Sequence, residues 1–165
     1  DGYGDSDWAG CRVTGKSTSG GVLMRGTHYL KSWSRTQQSI ALSSAEAELV
    51  AMVKVTAELI GITYLTQDWG NPCRGSVYAD STAALAIAKR KGSGKLRHIN
   101  VGMLWIQEKR ARDEIGFEKV EGKSNPADTM TKYLGVDTLQ KMCTAMSIKW
   151  EQGRASAGLE VKSGA

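Results

Sequence analysis

Ser43-Ser44-Ala45-Glu46-Ala47-Glu48-Leu49 opens the longest apolar-striped run in the chain, which continues to about Trp69. A Ser followed three residues later by Glu is a sequence form of a helix N-terminus, and Ser43 with Glu46 satisfies it; either Ser43 or Ser44 can serve as the cap. Leu49, Met52, Val53, Thr56, Ile60 and Tyr64 then recur at helical spacing. The run therefore reads as a helix with one buried face. Glu48 lies at the edge of that face. A carboxylate so placed is either a solvated flank or an acid aimed into a cleft, and the first is the commoner case.

The chain has 165 residues, enough for one domain with a proper core. Hydrophobic residues make up 41% and charged residues 24%, ordinary values for a globular protein. The formal charge of +5 and a pI near 9.2 are compatible with a polyanionic partner without requiring one. Cys11, Cys73 and Cys143 have no CxxC spacing, which points to a reducing compartment and no zinc site. No stretch reads as a membrane span or a signal peptide, so an intracellular monomer without a membrane partner is expected. With no initiator Met and an acid already at Asp5, the chain reads as a segment of something longer.

Asp1 to Ala9 reads as a strand, with Asp5 and Asp7 running against β-propensity in its interior. Gly20 to Arg25 and His28 to Ser34 read as two more strands, joined by a tight turn at Gly26-Thr27, and the three form an antiparallel meander. Beyond the long helix, Ser76 to Asp80 is a short buried-type strand, and Ser81 caps a helix from Thr82 to Lys89. Arg90 to Arg97 is a basic Gly-containing loop. Ile99 to Arg112 returns to helical spacing and Ile115 to Val120 is the last strand. Asn125-Pro126 is the favoured order of cap and first helical residue, opening a helix that carries Asp128 and runs to about Leu134. Val136 to Met146 is a further helix. Residues 1–150 thus form the domain, and 151–165 a flexible Gly/Ser/Ala-rich tail. The expected fold is α/β, a mixed five-stranded sheet of three antiparallel strands then two parallel ones, with helices on its faces.

Four acids fall at strand ends and helix starts: Asp5, Glu48, Asp80 and Asp128. Such positions converge at one edge of an α/β sheet. Carboxylates brought together repel unless neutralised, and all-oxygen ligands suit Mg²⁺ or Mn²⁺. Two such ions about 4 Å apart form a clamp for in-line displacement at phosphorus.

An ordered series of motifs resembles the ribonuclease H domain of copia-type LTR retrotransposons. It runs through Tyr3-Gly4-Asp5-Ser6-Asp7-Trp8-Ala9-Gly10, Lys16-Ser17-Thr18-Ser19-Gly20, Ser32-Trp33-Ser34 and Ala41-Leu42-Ser43-Ser44-Ala45-Glu46-Ala47-Glu48. It continues through Tyr78-Ala79-Asp80-Ser81-Thr82-Ala83-Ala84, Arg97-His98-Ile99-Asn100 and Asn125-Pro126-Ala127-Asp128-Thr129-Met130-Thr131-Lys132, and so spans about Asp1 to Leu134. The resemblance implies a ribonuclease H fold and two-metal hydrolysis of the RNA strand of RNA–DNA hybrids during reverse transcription, in cytoplasmic particles and beside a reverse-transcriptase domain. In that family the residue matching Asp5 bridges both Mg²⁺ ions, which Mn²⁺ can replace. Asp128 joins it at the ion holding the attacking water, and Glu48 and Asp80 hold the ion facing the leaving 3′ oxygen. The products carry a 5′-phosphate and a 3′-hydroxyl, and Glu48 lies nearest the 2′-hydroxyl that only RNA offers.

The match also selects Asp5 over Asp7, which takes a structural role, and Glu48 over Glu46, which reads as a charge favoured by the helix dipole. Where relatives read the hybrid with Asn or Gln, this chain has Ser44 and Thr82; it also has no His between Val120 and Asn125, where many cellular and retroviral relatives carry one. Lys89, Arg90, Lys91, Lys95, Arg97 and His98 are the candidate phosphate contacts, against a solvated basic loop. Trp8, Trp33, Trp69, Trp105 and Trp150 are dispersed and read as core. The rival readings are a hybrid-binding domain with weak catalysis that needs a reverse-transcriptase partner, and a transposase of the same fold.

Overall fold

Gly2 and Gly4 let the long helix lie against the first strand, and that contact sets the architecture. A Cβ at Gly2 would stand 2.6 Å from Val55 Cγ1, and one at Gly4 would stand 3.3 Å from Val55 Cγ2. The strand is β1 (Gly2–Asp7) and the helix is α1 (Ser44–Asp68). In the computed structural model, which describes residues 1–94, 101–149, 151 and 153, β1 is the middle strand of five. β2 (Thr18–Arg25) and β3 (His28–Thr36) extend the sheet antiparallel on one side, while β4 (Gly75–Ala79) and β5 (Ile115–Lys119) extend it parallel on the other. The spatial order is β3-β2-β1-β4-β5, the mixed sheet expected from the sequence. Asp5 pairs with Gly20 across β2, and Tyr3 pairs with Tyr78 across β4, their rings stacked at 5.0 Å.

Two apolar layers hold the sheet. On one side Leu49, Met52, Val55 and Leu59 of α1 join Leu23, Val77, Ile115 and Phe117 of the strands. The same cluster takes in Leu85 and Ile87 of α2 (Thr82–Lys89) and Ile106 of α3 (Trp105–Ala111). On the other side Val22 and Met24 meet Met142 of α4 (Val136–Ala145) and Met146, with Tyr3 and Met130 against them. Burial of this kind contributes about 25 cal/mol per Å² of apolar surface removed from water.

The caps form as the sequence predicts. Ser43 Oγ accepts from Glu46 N at 3.2 Å, Ser81 Oγ from Ala84 N at 3.2 Å, and Asn125 Oδ1 from Ala127 N at 3.2 Å. The β2–β3 turn closes at Gly26, whose φ of +58° suits a residue without a Cβ.

Several expectations need correction. The helix expected from Pro126 to Leu134 is a 3-10 turn, Pro126–Met130. Thr129 Oγ1 donates to Pro126 O at 2.7 Å, a side-chain bond that competes with continued α-helix. The helical stretch expected from Ile99 is, where described, a 3-10 turn at Val101–Leu104 followed by α3. Tyr64 is exposed, because the buried stripe of α1 runs through Val55, Thr56, Leu59 and Ile60 to Thr66. Trp8 and Trp69 are exposed too. Trp8 lies just past the end of β1, where its indole N–H donates to Ala41 O at 3.0 Å, and Trp69 is the C-cap of α1. Trp33 and Trp105 pack against the core, and Trp150 lies outside the described residues. By length and composition α1 is also apolar enough to cross a membrane, contrary to the expectation that no stretch is; here its apolar face lies on the sheet. The tail expected over 151–165 lies, apart from 151 and 153, outside the described residues.

Gly20 and Gly61 are expected to respond to Ala in opposite ways. A Cβ at Gly20 would stand 2.7 Å from Met130 Cβ and 3.0 Å from Ala127 O, so Gly20→Ala should push the Pro126–Met130 turn off β2 and cost about 1–3 kcal/mol. Gly61 is helical with open space around it, so Gly61→Ala should stabilise by about 0.5–1 kcal/mol. Urea unfolding of both variants measures the two signs.

Candidate metal centre

Each acid is delivered by a different element. Asp5 sits on the central strand and is 1% exposed. Glu48 stands early in α1, buried, with its Oε1 accepting from Ser6 N of β1 at 3.2 Å. Asp80 lies between the end of β4 and the Ser81 cap of α2. Gly122 approaches it closely: a Cβ there would stand 3.1 Å from Asp80 Oδ2. Asp128 rides on the Pro126–Met130 turn. That turn is tied to β1 by fully buried Asn125, whose Nδ2 donates to Gly4 O at 3.0 Å.

Asp5, Glu48 and Asp80 converge, each offering an oxygen within 4.8 Å of the others. Asp128 is not part of that ring. Its Oδ1 instead accepts from Lys132 Nζ at 2.9 Å, and the same ammonium stands 3.2 Å from Asp5 Oδ1. Thr131 Oγ1 donates to the other Asp5 oxygen. Thr131 and Lys132 were not singled out from the sequence, although the i,i+4 spacing of Asp128 and Lys132 is a legible ion-pair signal.

Burial pushes the Glu48 carboxyl up to about 8, and the nearby charges of Asp5 and Asp80 add to the push. Asp128 is raised as well, mainly by burial, against the opposing hydrogen bond from Lys132. Burial pulls the Lys132 ammonium down, but Asp128 and Asp5 outweigh it and leave the group above its usual range. The second Glu48 oxygen is buried and has no hydrogen-bond partner among the described residues. A buried carboxylate oxygen without a partner, on an acid grouped with two further carboxylates, is what a divalent cation would satisfy, and an all-oxygen donor set fits Mg²⁺ or Mn²⁺.

The expected nucleic-acid contacts are scattered. Ser44 is exposed at the first turn of α1. Thr82 is exposed at the start of α2, and its hydroxyl accepts from Lys119 Nζ at 2.8 Å. Lys89, Arg90 and Lys91 lie at the opposite end of α2, about 12 Å along the axis of this 8-residue helix, so they are not gathered at the acids. They line a separate hollow with Leu104, Gln107 and Arg110, where the Gln107 side chain bonds Gly92 N at 2.8 Å and Ile87 O at 2.8 Å. Lys95, Arg97 and His98 lie outside the described residues. Asp7 turns to structure, its carboxylate accepting from Thr18 N, and Glu46 Oε2 accepts from Leu42 N at 2.8 Å.

No protein-family model matches the chain. It is 32% identical over 136 residues, 81% of its length, to the retrovirus-related Pol polyprotein from transposon TNT 1-94 of Nicotiana tabacum. It is 25% identical over 149 residues, 88% of its length, to that from transposon RE1 of Arabidopsis thaliana. The chain spans about a tenth of the length of these relatives. Among solved structures it superposes on LC11 ribonuclease H1, isolated from compost, with a TM-score of 0.60 and 19% identity, over 78% of this chain and 89% of that one.

The Glu48 environment makes a pH prediction. Without metal, the folded chain keeps a proton on Glu48 up to about pH 8, while the unfolded chain releases it near 4.5. The folded state therefore binds more protons in that window, and Glu48 makes stability fall as pH rises through it. Glu48→Gln should gain on wild type progressively between those two pH values in urea unfolding with chelator. Saturating Mg²⁺ should shrink the difference, because the cation favours the carboxylate.

Proposed function

Since the chain belongs with the ribonuclease H domains of copia-type retrotransposon Pol polyproteins, we propose that it hydrolyses the RNA strand of RNA–DNA hybrids, leaving 5′-phosphate and 3′-hydroxyl ends. The observation that carries this reading is the ring of Asp5, Glu48 and Asp80, in which one Glu48 oxygen is buried and has no hydrogen-bond partner among the described residues. Asp5, Glu48 and Asp80 would hold one divalent cation, and Asp5 with Asp128 a second. Bound Mg²⁺, or Mn²⁺ in its place, would supply a nucleophilic water at neutral pH and charge stabilisation at the attacking and leaving oxygens.

The chain's own residues supply position. Ser6 N fixes the orientation of Glu48, and Asn125 ties the Asp128 turn to β1 beside Asp5. Each acid thus sits on an element anchored by the sheet, which is what a preorganised phosphoryl-transfer site requires. Ser44 and Thr82 are exposed at the starts of α1 and α2, and in this reading they would meet the hybrid through short or water-bridged contacts. In this reading the domain acts beside a reverse-transcriptase segment of the same polyprotein, inside cytoplasmic particles.

The test is cleavage of a labelled RNA strand in a hybrid by the purified chain, with Mg²⁺, Mn²⁺ or chelator. Cutting confined to the hybrid, absent from single-stranded RNA and RNA duplex, and reduced at least about a thousand-fold in Asp80→Asn, is the predicted outcome. Salt-sensitive hybrid binding with no cutting in either metal would instead favour a binding domain that depends on its polyprotein neighbour.

A further inference from the structure

Lys132 places its ammonium in contact with two of the four acids, 2.9 Å from Asp128 Oδ1 and 3.2 Å from Asp5 Oδ1. Asp128 is the acid left out of the tight ring, and Lys132 is its ion-pair partner. We propose that Lys132 is a built-in counter-ion occupying the Asp5–Asp128 side of the centre, so that the chain takes up one divalent cation on the Asp5–Glu48–Asp80 side and admits a second only by expelling the ammonium. The inference rests on the metal-dependent reading above and deepens it, from which acids bind to how many cations they bind and in what order.

Mutual exclusion follows from size and charge. A Mg²⁺ ion sits about 2.0–2.1 Å from its oxygen ligands, so a cation shared by Asp5 and Asp128 would fall inside the space held by the ammonium. Like charges at that range repel, and the low-dielectric surroundings of Asp5, which is 1% exposed, strengthen the repulsion. Asp80, and Glu48 once its carboxyl is ionised, attract either cation and do not discriminate between them.

Expulsion has a route. The Lys132 side chain is 41% exposed, against 13% for Asp128 and 1% for Asp5, so the lysine is the member able to leave. It lines an open groove with Asp7, Gly10, Thr18, Thr129 and Tyr133 into which an unbranched stem can swing. Asp5 remains held by Thr131 Oγ1 when the lysine departs. Lys132 also offsets the mutual repulsion of Asp5 and Asp128, since its ammonium contacts both.

The experiment is Mn²⁺ titration of the full chain without nucleic acid, by calorimetry and by electron paramagnetic resonance of free Mn²⁺. It compares wild type, Lys132→Met and Lys132→Arg, with hybrid cleavage by wild type scored in parallel. Wild type should bind one Mn²⁺ in its tighter step. Lys132→Met should bind the second about ten-fold tighter, the scale of one displaced ion pair. Lys132→Arg should follow wild type, which separates charge from loss of packing. In chelator Lys132→Met should melt lower than wild type, with the gap closing at saturating Mn²⁺, a pattern a purely structural lysine would not give. Equal stoichiometry and affinity in wild type and Lys132→Met would overturn the counter-ion role while leaving the metal centre in place. No Mn²⁺ binding by either protein would overturn both the inference and the metal reading beneath it.

Discussion

The crowding of carboxylates at the edge of the sheet is the constraint on which the rest of this structure turns. Asp5, Glu48 and Asp80 offer oxygens within 4.8 Å of one another, and two of the three are buried. No such arrangement persists on electrostatics alone, because each ionised acid disfavours ionisation of the next. Packing imposes it. The two glycines of β1 bring α1 close enough for Ser6 N to grip Glu48, and buried Asn125 fastens the Asp128 turn onto the same strand. The electrostatic cost appears as the raised Glu48 carboxyl and as the recruitment of Lys132. A cation is the natural relief for both.

The crowded acids are thus offset by two kinds of compensation at once. On the Glu48 side a proton lessens the charge; on the Asp128 side an ammonium does so. They differ in what a divalent ion must do to enter. A proton on a carboxyl of raised affinity is released to solvent, whereas a lysine must be moved bodily. This asymmetry distinguishes two halves of a site whose acids look equivalent in sequence.

Much of this was legible in the residues. Ser43, Ser81 and Asn125-Pro126 announced their caps because capping is a local, short-range interaction that the chain cannot easily disguise. The antiparallel meander and the parallel pairing of the later strands follow from the connections, short in the first case and helical in the second. Tyr64, Trp8 and Trp69 misled because apolar character and spacing say what a helix or strand could bury, not where the sheet beneath it ends. The Pro126 helix shortened because Thr129 diverted its hydrogen bonding, a choice decided by side-chain geometry. Of the site, the four acids were placed by motif, and the structure gathers three of them tightly with the fourth one ammonium away. The roles of Thr131 and Lys132 are not legible in the residues because they depend on contact with Asp5, 126 and 127 positions away in the chain. For Lys89, Arg90 and Lys91 the sequence shows charge and not distance, and the structure puts them at the far end of α2 from the acids.

Anomalous diffraction from crystals of the chain grown or soaked with Mn²⁺ would locate the first divalent cation among the four acids. A Mn²⁺ peak is expected at inner-sphere distance from oxygens of Asp5, Glu48 and Asp80, with the unpartnered Glu48 oxygen among its ligands. A protein that takes up Mn²⁺ at other residues, leaving that ring without an anomalous peak at saturating metal, would contradict this placement.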